Sequence, residues 1–207
     1  MIPAAEALAR LRAGNERFAS DAANESTTRT NERRRSEVVA GQEPFAIILG
    51  CSDSRVPAEI VFDQGLGDLF VIRVAGNIVA PSQVGSVEFA AEQFRTRLVV
   101  VLGHSGCGAI SATIDALQRP QEEHSRNLWS IVERIRPSVE PLLETVPQGD
   151  RNTLIERAVR ANIRASASQL RHGSPIVERL IERDGLLVVG AEYSLETGLV
   201  DFFDMPR

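Results

Sequence analysis

The chain's only two cysteines stand in short polar runs, Cys51-Ser52-Asp53-Ser54-Arg55 and His104-Ser105-Gly106-Cys107-Gly108. Two thiolates and an imidazole form a soft donor set that suits zinc and supplies three corners of a tetrahedron. The fourth corner separates two kinds of protein. A structural zinc site is closed by four protein ligands, whereas a catalytic one leaves a position for water or substrate. No third cysteine exists to close this site, and the spare histidines, His124 and His172, have no ligand-like neighbours in the sequence and read as solvated surface. Asp53 remains as the candidate fourth group. Taken singly, each cysteine reads as a small buried hydrophobe. The histidine three positions before Cys107 and the Asp-x-Arg beside Cys51 favour the metal. As an isolated loop pair, Asp53 and Arg55 would be worth only about 0–1 kcal/mol.

For the two runs to meet, the elements before them must end side by side. Residues 45–49, 69–74 and 98–102 are apolar runs, broken only by Arg73, rich in β-branched side chains and closely followed by glycine. Continuous apolar character is what parallel strands covered by helices on both faces require. In such open sheets ligands bind beyond the carboxyl ends of the strands, where both polar runs fall. Residues 4–19 have the spacing of an amphipathic helix, and residues 31–40 form a second short helix ended by Gly41. Residues 82–94 suit a crossover helix. Helical stretches at 151–171 and 175–183 precede a fourth strand at 186–190, and residues 193–203 read as a turn and a closing strand. Residues 119–150 are expected to be a helical excursion broken into pieces by Pro120, Pro137, Pro141 and Pro147.

The predicted architecture is therefore α/β: a mostly parallel central sheet of about four strands plus a C-terminal antiparallel edge strand, flanked by helices, with an N-terminal helical arm. A length of 207 residues fits a single domain, 1–207, with residues 1–41 as the arm. The formal charge of -5 argues against a nucleic-acid partner. All 23 basic residues are arginine. Schiff-base chemistry and the phosphate-binding P-loop, which need lysine, are thereby excluded. No signal-peptide pattern and no stretch of about 20 apolar residues is present, so the expected location is the cytoplasm, with no membrane contact. There the cysteines serve as ligands better than as a disulfide.

The two polar runs together resemble the paired signature of β-class carbonic anhydrases. The resemblance extends through Phe62-Asp63-Gln64-Gly65-Leu66-Gly67-Asp68-Leu69-Phe70 and Arg73-Val74-Ala75-Gly76-Asn77. It implies one Zn2+ per subunit held by Cys51, His104 and Cys107, and reversible hydration of CO2 to bicarbonate by a hydroxide on that zinc. Asp53 and Arg55 would form the catalytic dyad, and in an inactive closed state Asp53 would itself ligate the metal. Gln42, Phe70, Phe89 and Gly108 would line the substrate pocket, although glycines 106 and 108 equally suit a tight turn and the two phenylalanines equally suit core packing. Position 89 is Phe where many members carry Tyr. Position 48 is Ile where the bicarbonate-inhibited bacterial branch has Trp, so no regulatory pocket of that kind is expected. The resemblance also implies a homodimer or a dimer of dimers, with Gln42, Phe70 and Phe89 reaching the partner's zinc. The 4–19 arm would wrap the partner or cover its own core.

Other classes fit less well. Gly103-His104-Ser105-Gly106 lacks the glycine two positions after serine that a nucleophile elbow needs, and Gly103-x-x-Gly106-x-Gly108 misses the dinucleotide-binding spacing. Two alternatives stay open on the same scaffold. One is hydrolysis of carbonyl sulfide or carbon disulfide; the other is a non-catalytic zinc-binding or sensor protein that uses Asp53 permanently as fourth ligand.

Overall fold

Strands β1 (Ala46–Gly50) and β3 (Leu98–His104) are buried at every position, as their unbroken apolar sequences require. They are parallel neighbours at the centre of a five-stranded sheet in the order β2-β1-β3-β4-β5. β2 (Leu69–Arg73) lies parallel beside β1, and β4 (Leu187–Tyr193) parallel beside β3. β5 (Val200–Asp204) closes the far edge antiparallel to β4, with a register shift at Gly190/Ala191. The predicted sheet of four parallel strands and one antiparallel edge strand is the one found. This computed structural model describes residues 2–21, 32–119, 125–147 and 149–205.

Alternation along the strands splits the core into two layers. Ile47, Leu49, Val99, Val101 and Val188 face one layer. It is covered by α4 (Pro81–Gln93), α5 (Gly108–Gln118), α6 (Arg126–Thr145), α7 (Arg151–His172) and α8 (Pro175–Asp184). Ala46, Ile48, Leu98, Val100, Leu102 and Val189 face the other. That second layer is capped by α1 (Ala4–Ala19) and the single turn α3 (Ala58–Val61). The remaining helix, α2 (Glu32–Val38), lies in the predicted 31–40 segment. Ala7 and Leu11 of α1 are fully buried among Val61, Phe62, Tyr193 and Phe202, so the arm covers its own core. Asn15 fastens it further, donating to the carbonyls of Val61 and Gly198 and accepting from the Val200 amide.

The expectation that prolines fragment residues 119–150 fails for α6, which runs unbroken for 20 residues with Pro137 and Pro141 inside it. The two prolines are four positions apart and both are exposed, so they share the solvent face, where carbonyls that lose their partners turn to water. Val132, Ile135 and Val139 anchor the opposite face in the core, and that packing outweighs the lost bonds. Pro120 and residues 22–31 lie outside the described residues. No described helix is long and apolar enough to cross a membrane.

Because α1 packs on its own subunit, Leu11→Ala should lower unfolding free energy by about 2–5 kcal/mol. Urea titration of the variant beside the parent checks this, and an unchanged midpoint would mean the arm is not part of this core.

Candidate metal centre

In the order β2-β1-β3 the chain departs from β1 to one side and returns on the other, so the crevice between the ends of β1 and β3 is a topological switch point. Gly50 of β1 is level with Leu102 of β3, which sets Cys51, the next residue, beside the final residues of β3. His104 is the last residue of that strand, two positions beyond its predicted end, and Cys107 caps the start of α5. Cys51, His104 and Cys107 are all buried, and their ligating atoms lie within 4.8 Å of one another.

The donor set fits a thiolate-seeking ion. Two zinc–sulfur bonds of about 2.3 Å at a tetrahedral angle put the sulfurs about 3.8 Å apart, and here Cys51 Sγ and Cys107 Sγ are 4.0 Å apart. His104 Nδ1 lies 3.0 Å from the Ser105 carbonyl; a carbonyl only accepts, so Nδ1 carries the hydrogen and Nε2 is left as the ligating atom. That Nε2 is buried without a hydrogen-bond partner. A buried imidazole nitrogen without a partner, within 4.8 Å of two cysteine sulfurs, is the arrangement a metal completes. Ser105 is fixed in turn, its amide donating to the Tyr193 carbonyl and its hydroxyl accepting from the Leu195 amide.

Electrostatics favour charge on one of the two sulfurs, that of Cys51. The Cys51 thiol is brought down from 9.0 to about 4 by the Cys107 side chain, with help from His104 and the Asp53 and Gly76 amides, against the opposing effect of burial. Cys107 is pushed upward, because its proton is shared with the Cys51 sulfur and burial disfavours a second anion. Burial works against a charge on His104, yet the neighbouring Cys51 sulfur leaves its pKa raised.

Asp53 stands at the edge of this cluster, its Oδ2 3.8 Å from His104 Nε2. Both of its oxygens accept from the Arg55 fork, at 2.9 Å from Nε and 2.6 Å from Nη2, and the Arg55 amide adds a bond of 3.0 Å to Oδ1. Those bonds from Arg55 hold the Asp53 carboxyl well below the usual carboxylate range. Gly108 opens α5 directly after Cys107, and a side chain there would meet only open space. Gly106 takes a left-handed φ of 62° in the turn before it.

The remaining predicted pocket residues do not reach this cluster within one chain. Phe70 is level with Ile47, four residues before Cys51, or about 13 Å back along the sheet. It joins Phe89 and Phe94 in a group of rings with centroids 5.6–6.2 Å apart. Phe89 is 54% exposed. Gln42 precedes β1 and lines a cavity of ≈ 580 Å³ with Phe45, Phe94 and Arg95. His172 ends α7 beside Arg171 and Glu178, and among the described residues the only potential metal cluster is the Cys51–His104–Cys107 one. His124 lies outside the described residues.

A sequence model of the family described as carbonic anhydrase matches residues 46–200. Carbonic anhydrase 2 of Mycobacterium tuberculosis is 35% identical over 188 residues, which are 91% of this chain and 87% of that protein. The β-carbonic anhydrase of Coccomyxa, solved in complex with acetazolamide, superimposes with a TM-score of 0.72 at 26% identity, covering 91% of this chain and 82% of that one. The chain belongs to the β-carbonic anhydrase family. The β-carbonic anhydrase fold extends to a tetrameric enzyme of Sordaria macrospora, with a TM-score of 0.75 at 23% identity over 84% of this chain and 87% of that one.

One residue at this candidate site was not singled out by spacing. Arg73, the last residue of β2, donates from Nε to the Cys51 carbonyl at 3.0 Å and from Nη2 to the Asp53 carbonyl at 2.6 Å. It ties the loop that carries both a cluster sulfur and the dyad to the neighbouring strand. Its only sequence signal is its place in the Arg73–Asn77 run. Arg73→Met, which keeps the aliphatic stem and removes both bonds, should cost about 1–2 kcal/mol of stability and speed hydrogen exchange at residues 51–55. Exchange at the parent rate would show that the loop does not depend on Arg73.

Proposed function

We propose that this chain hydrates CO2 reversibly to bicarbonate, using one zinc ion per subunit held by Cys51, His104 and Cys107. The observation that carries the proposal is the buried trio with an unpartnered His104 Nε2, beside a carboxylate that Arg55 keeps ionised. Zinc, when bound, supplies a Lewis acid that makes water a nucleophile near neutral pH by lowering its pKa to about 7.

The chain's own groups do the rest. Asp53 Oδ2, at the edge of the trio, is placed to accept a hydrogen bond from the reacting water and so turn a lone pair toward the carbon of CO2. Arg55 fixes the direction of that carboxylate with a charge-assisted fork. Because both oxygens of Asp53 accept from Arg55, the carboxylate is committed to the guanidinium, which favours a catalytic site over a sensor closed by a permanent fourth ligand. Rotation of Asp53 onto the metal would require breaking that fork. Two thiolate ligands suit a reducing compartment such as the cytoplasm.

The second part of the proposal is a homodimer or dimer of dimers. Gln42, Phe70 and Phe89 lie toward the other end of the sheet from their own subunit's trio, so they serve a substrate only if a second copy brings its trio to them. Phe89, a large ring 54% exposed on top of the partly buried Phe70 and Phe94, supports this, since it offers an apolar face for a second copy to cover. The tetrameric Sordaria macrospora enzyme with the same fold is consistent with it.

Stopped-flow CO2 hydration near pH 8.5, with metal analysis of the same sample, tests the chemistry. The parent should contain one zinc per chain and turn over CO2. Cys107→Ser should lose zinc and nearly all activity, and Asp53→Ala should keep zinc but lose about 10²–10⁴-fold in rate. Turnover of carbonyl sulfide or carbon disulfide in place of CO2 would move the reading to that hydrolase, and zinc without turnover of any of these gases would move it to a binding protein. For the assembly, sedimentation should give a dimer or larger for the parent. Phe89→Glu, which places a charge in the ring group, should shift it toward monomer and lower activity in parallel; a monomeric, fully active parent contradicts the dimer.

A further inference from the structure

Two buried polar residues of α7 have no part in the chemistry described so far. Asn162 and Ser166 lie one turn apart and are 2% and 4% exposed. Asn162 Nδ2 donates to the Gly76 carbonyl at 2.8 Å, and Ser166 Oγ donates to the Asn77 carbonyl at 3.1 Å. Both therefore grip one 3₁₀ turn, Ala75–Asn77, from helix residues 86 and 89 positions further along the chain.

That turn is an unfavourable structure by itself. Gly76 and Asn77 are consecutive residues in the left-handed region, with φ of 70° and 44°, and the Asn77 side-chain Nδ2 is buried without a partner. Such a backbone persists only where its surroundings over-determine it. Packing supplies part of the constraint, since a Cβ at Gly76 would fall 2.7 Å from Ile135 Cδ1 and 3.1 Å from Ala109 Cβ. The Asn77 amide adds a bond to the Val74 carbonyl, and the two α7 side chains hold the carbonyls that follow. What the strained turn delivers is one N–H: the Gly76 amide donates to Cys51 Sγ at 3.4 Å.

We propose that Asn162 and Ser166 are positioning residues of the metal centre, holding the Gly76 N–H on the Cys51 sulfur and thereby setting how strongly that sulfur donates to the ion. The inference rests on the metal-centre reading above. A hydrogen bond to a ligating thiolate withdraws electron density from it, which leaves the ion more acidic, and outer groups of this kind typically change metal affinity or activity by about 10–100-fold. The Gly76 carbonyl and amide belong to adjoining peptide units of one tight turn, so a bond to the former restrains the direction of the latter.

Cobalt(II) reports on the bond directly, because its charge-transfer band with thiolate follows the donor strength of the sulfur. The protein is loaded with cobalt as the parent, Asn162→Ala, Ser166→Ala and Leu170→Ala. Leu170 is a fully buried residue of the same helix, two turns from Asn162, and its variant loosens α7 without touching the turn. Asn162→Ala should move the sulfur-to-cobalt band to lower energy, because the sulfur donates more strongly without the N–H, and, because the ligand is no longer held in place, weaken zinc binding, measured by competition with a chromophoric chelator, by about 10–100-fold. Ser166→Ala should move both in the same direction by less, and Leu170→Ala should leave the band in place. Should Asn162→Ala fail to fold, the contrast between Ser166→Ala and Leu170→Ala decides. Parental band and affinity in the polar variants overturn the proposal, as does an equal band shift in Leu170→Ala. A parent with no thiolate–cobalt band overturns the metal-centre reading itself, and this inference with it.

Discussion

The pairing of β1 with β3 is the constraint on which the site depends. The two strands lie in parallel register with Gly50 opposite Leu102, and the groups of interest sit immediately past those residues. Since side chains alternate across a strand, a slip of one residue would turn every side chain of β1 to the opposite face. It would exchange the apolar layers under α1 and under α4–α8 and move Cys51 away from His104. The register is held because both layers are fully packed, and the cost of exposing either is far larger than any one contact at the site. The cluster geometry is in this sense a by-product of core packing.

Holding two sulfurs in a buried pocket raises an electrostatic problem that the surrounding backbone answers. The Gly76 amide reaches Cys51, and the amides of Ile110 and Ala109 in the first turn of α5 act to lower the Cys107 pKa, although the shared proton and burial outweigh them. A dipositive ion would remove the remaining conflict between the two thiols, which links metal binding to the stability of the folded site. At the solvent edge the work passes to arginine: Arg55 holds the Asp53 carboxylate and Arg73 holds the loop carbonyls beneath it. Bidentate geometry of this kind is available to a guanidinium and not to an ammonium.

The ring group at Phe70, Phe89 and Phe94 and the trio at the switch point occupy different places on one subunit. Within one chain the rings do not reach the trio, and of the three only Phe89 is exposed. The arrangement is understandable if the functional unit contains two copies, with the substrate meeting residues from both.

Residue types and spacing alone determined much of this protein. The unbroken apolar runs at 45–49 and 98–102 identified buried parallel strands, the two cysteines and His-x-x-Cys spacing named the candidate ligands while the Asp53–Arg55 dyad came from the family resemblance, and the 4–19 periodicity identified α1 to the residue. These features are local: strand burial, helix amphipathicity and donor chemistry are written in neighbouring side chains. Tertiary structure decided what distant contacts control. Only packing of Val132, Ile135 and Val139 against the core keeps α6 whole through two prolines. Only the placement of β2 beside β1 brings Arg73 onto the Cys51 loop, and only the return of α7 across the sheet brings Asn162 to Gly76. No spacing rule foresees a hydrogen bond between groups 86 residues apart, because its existence depends on where two separately folded elements come to rest.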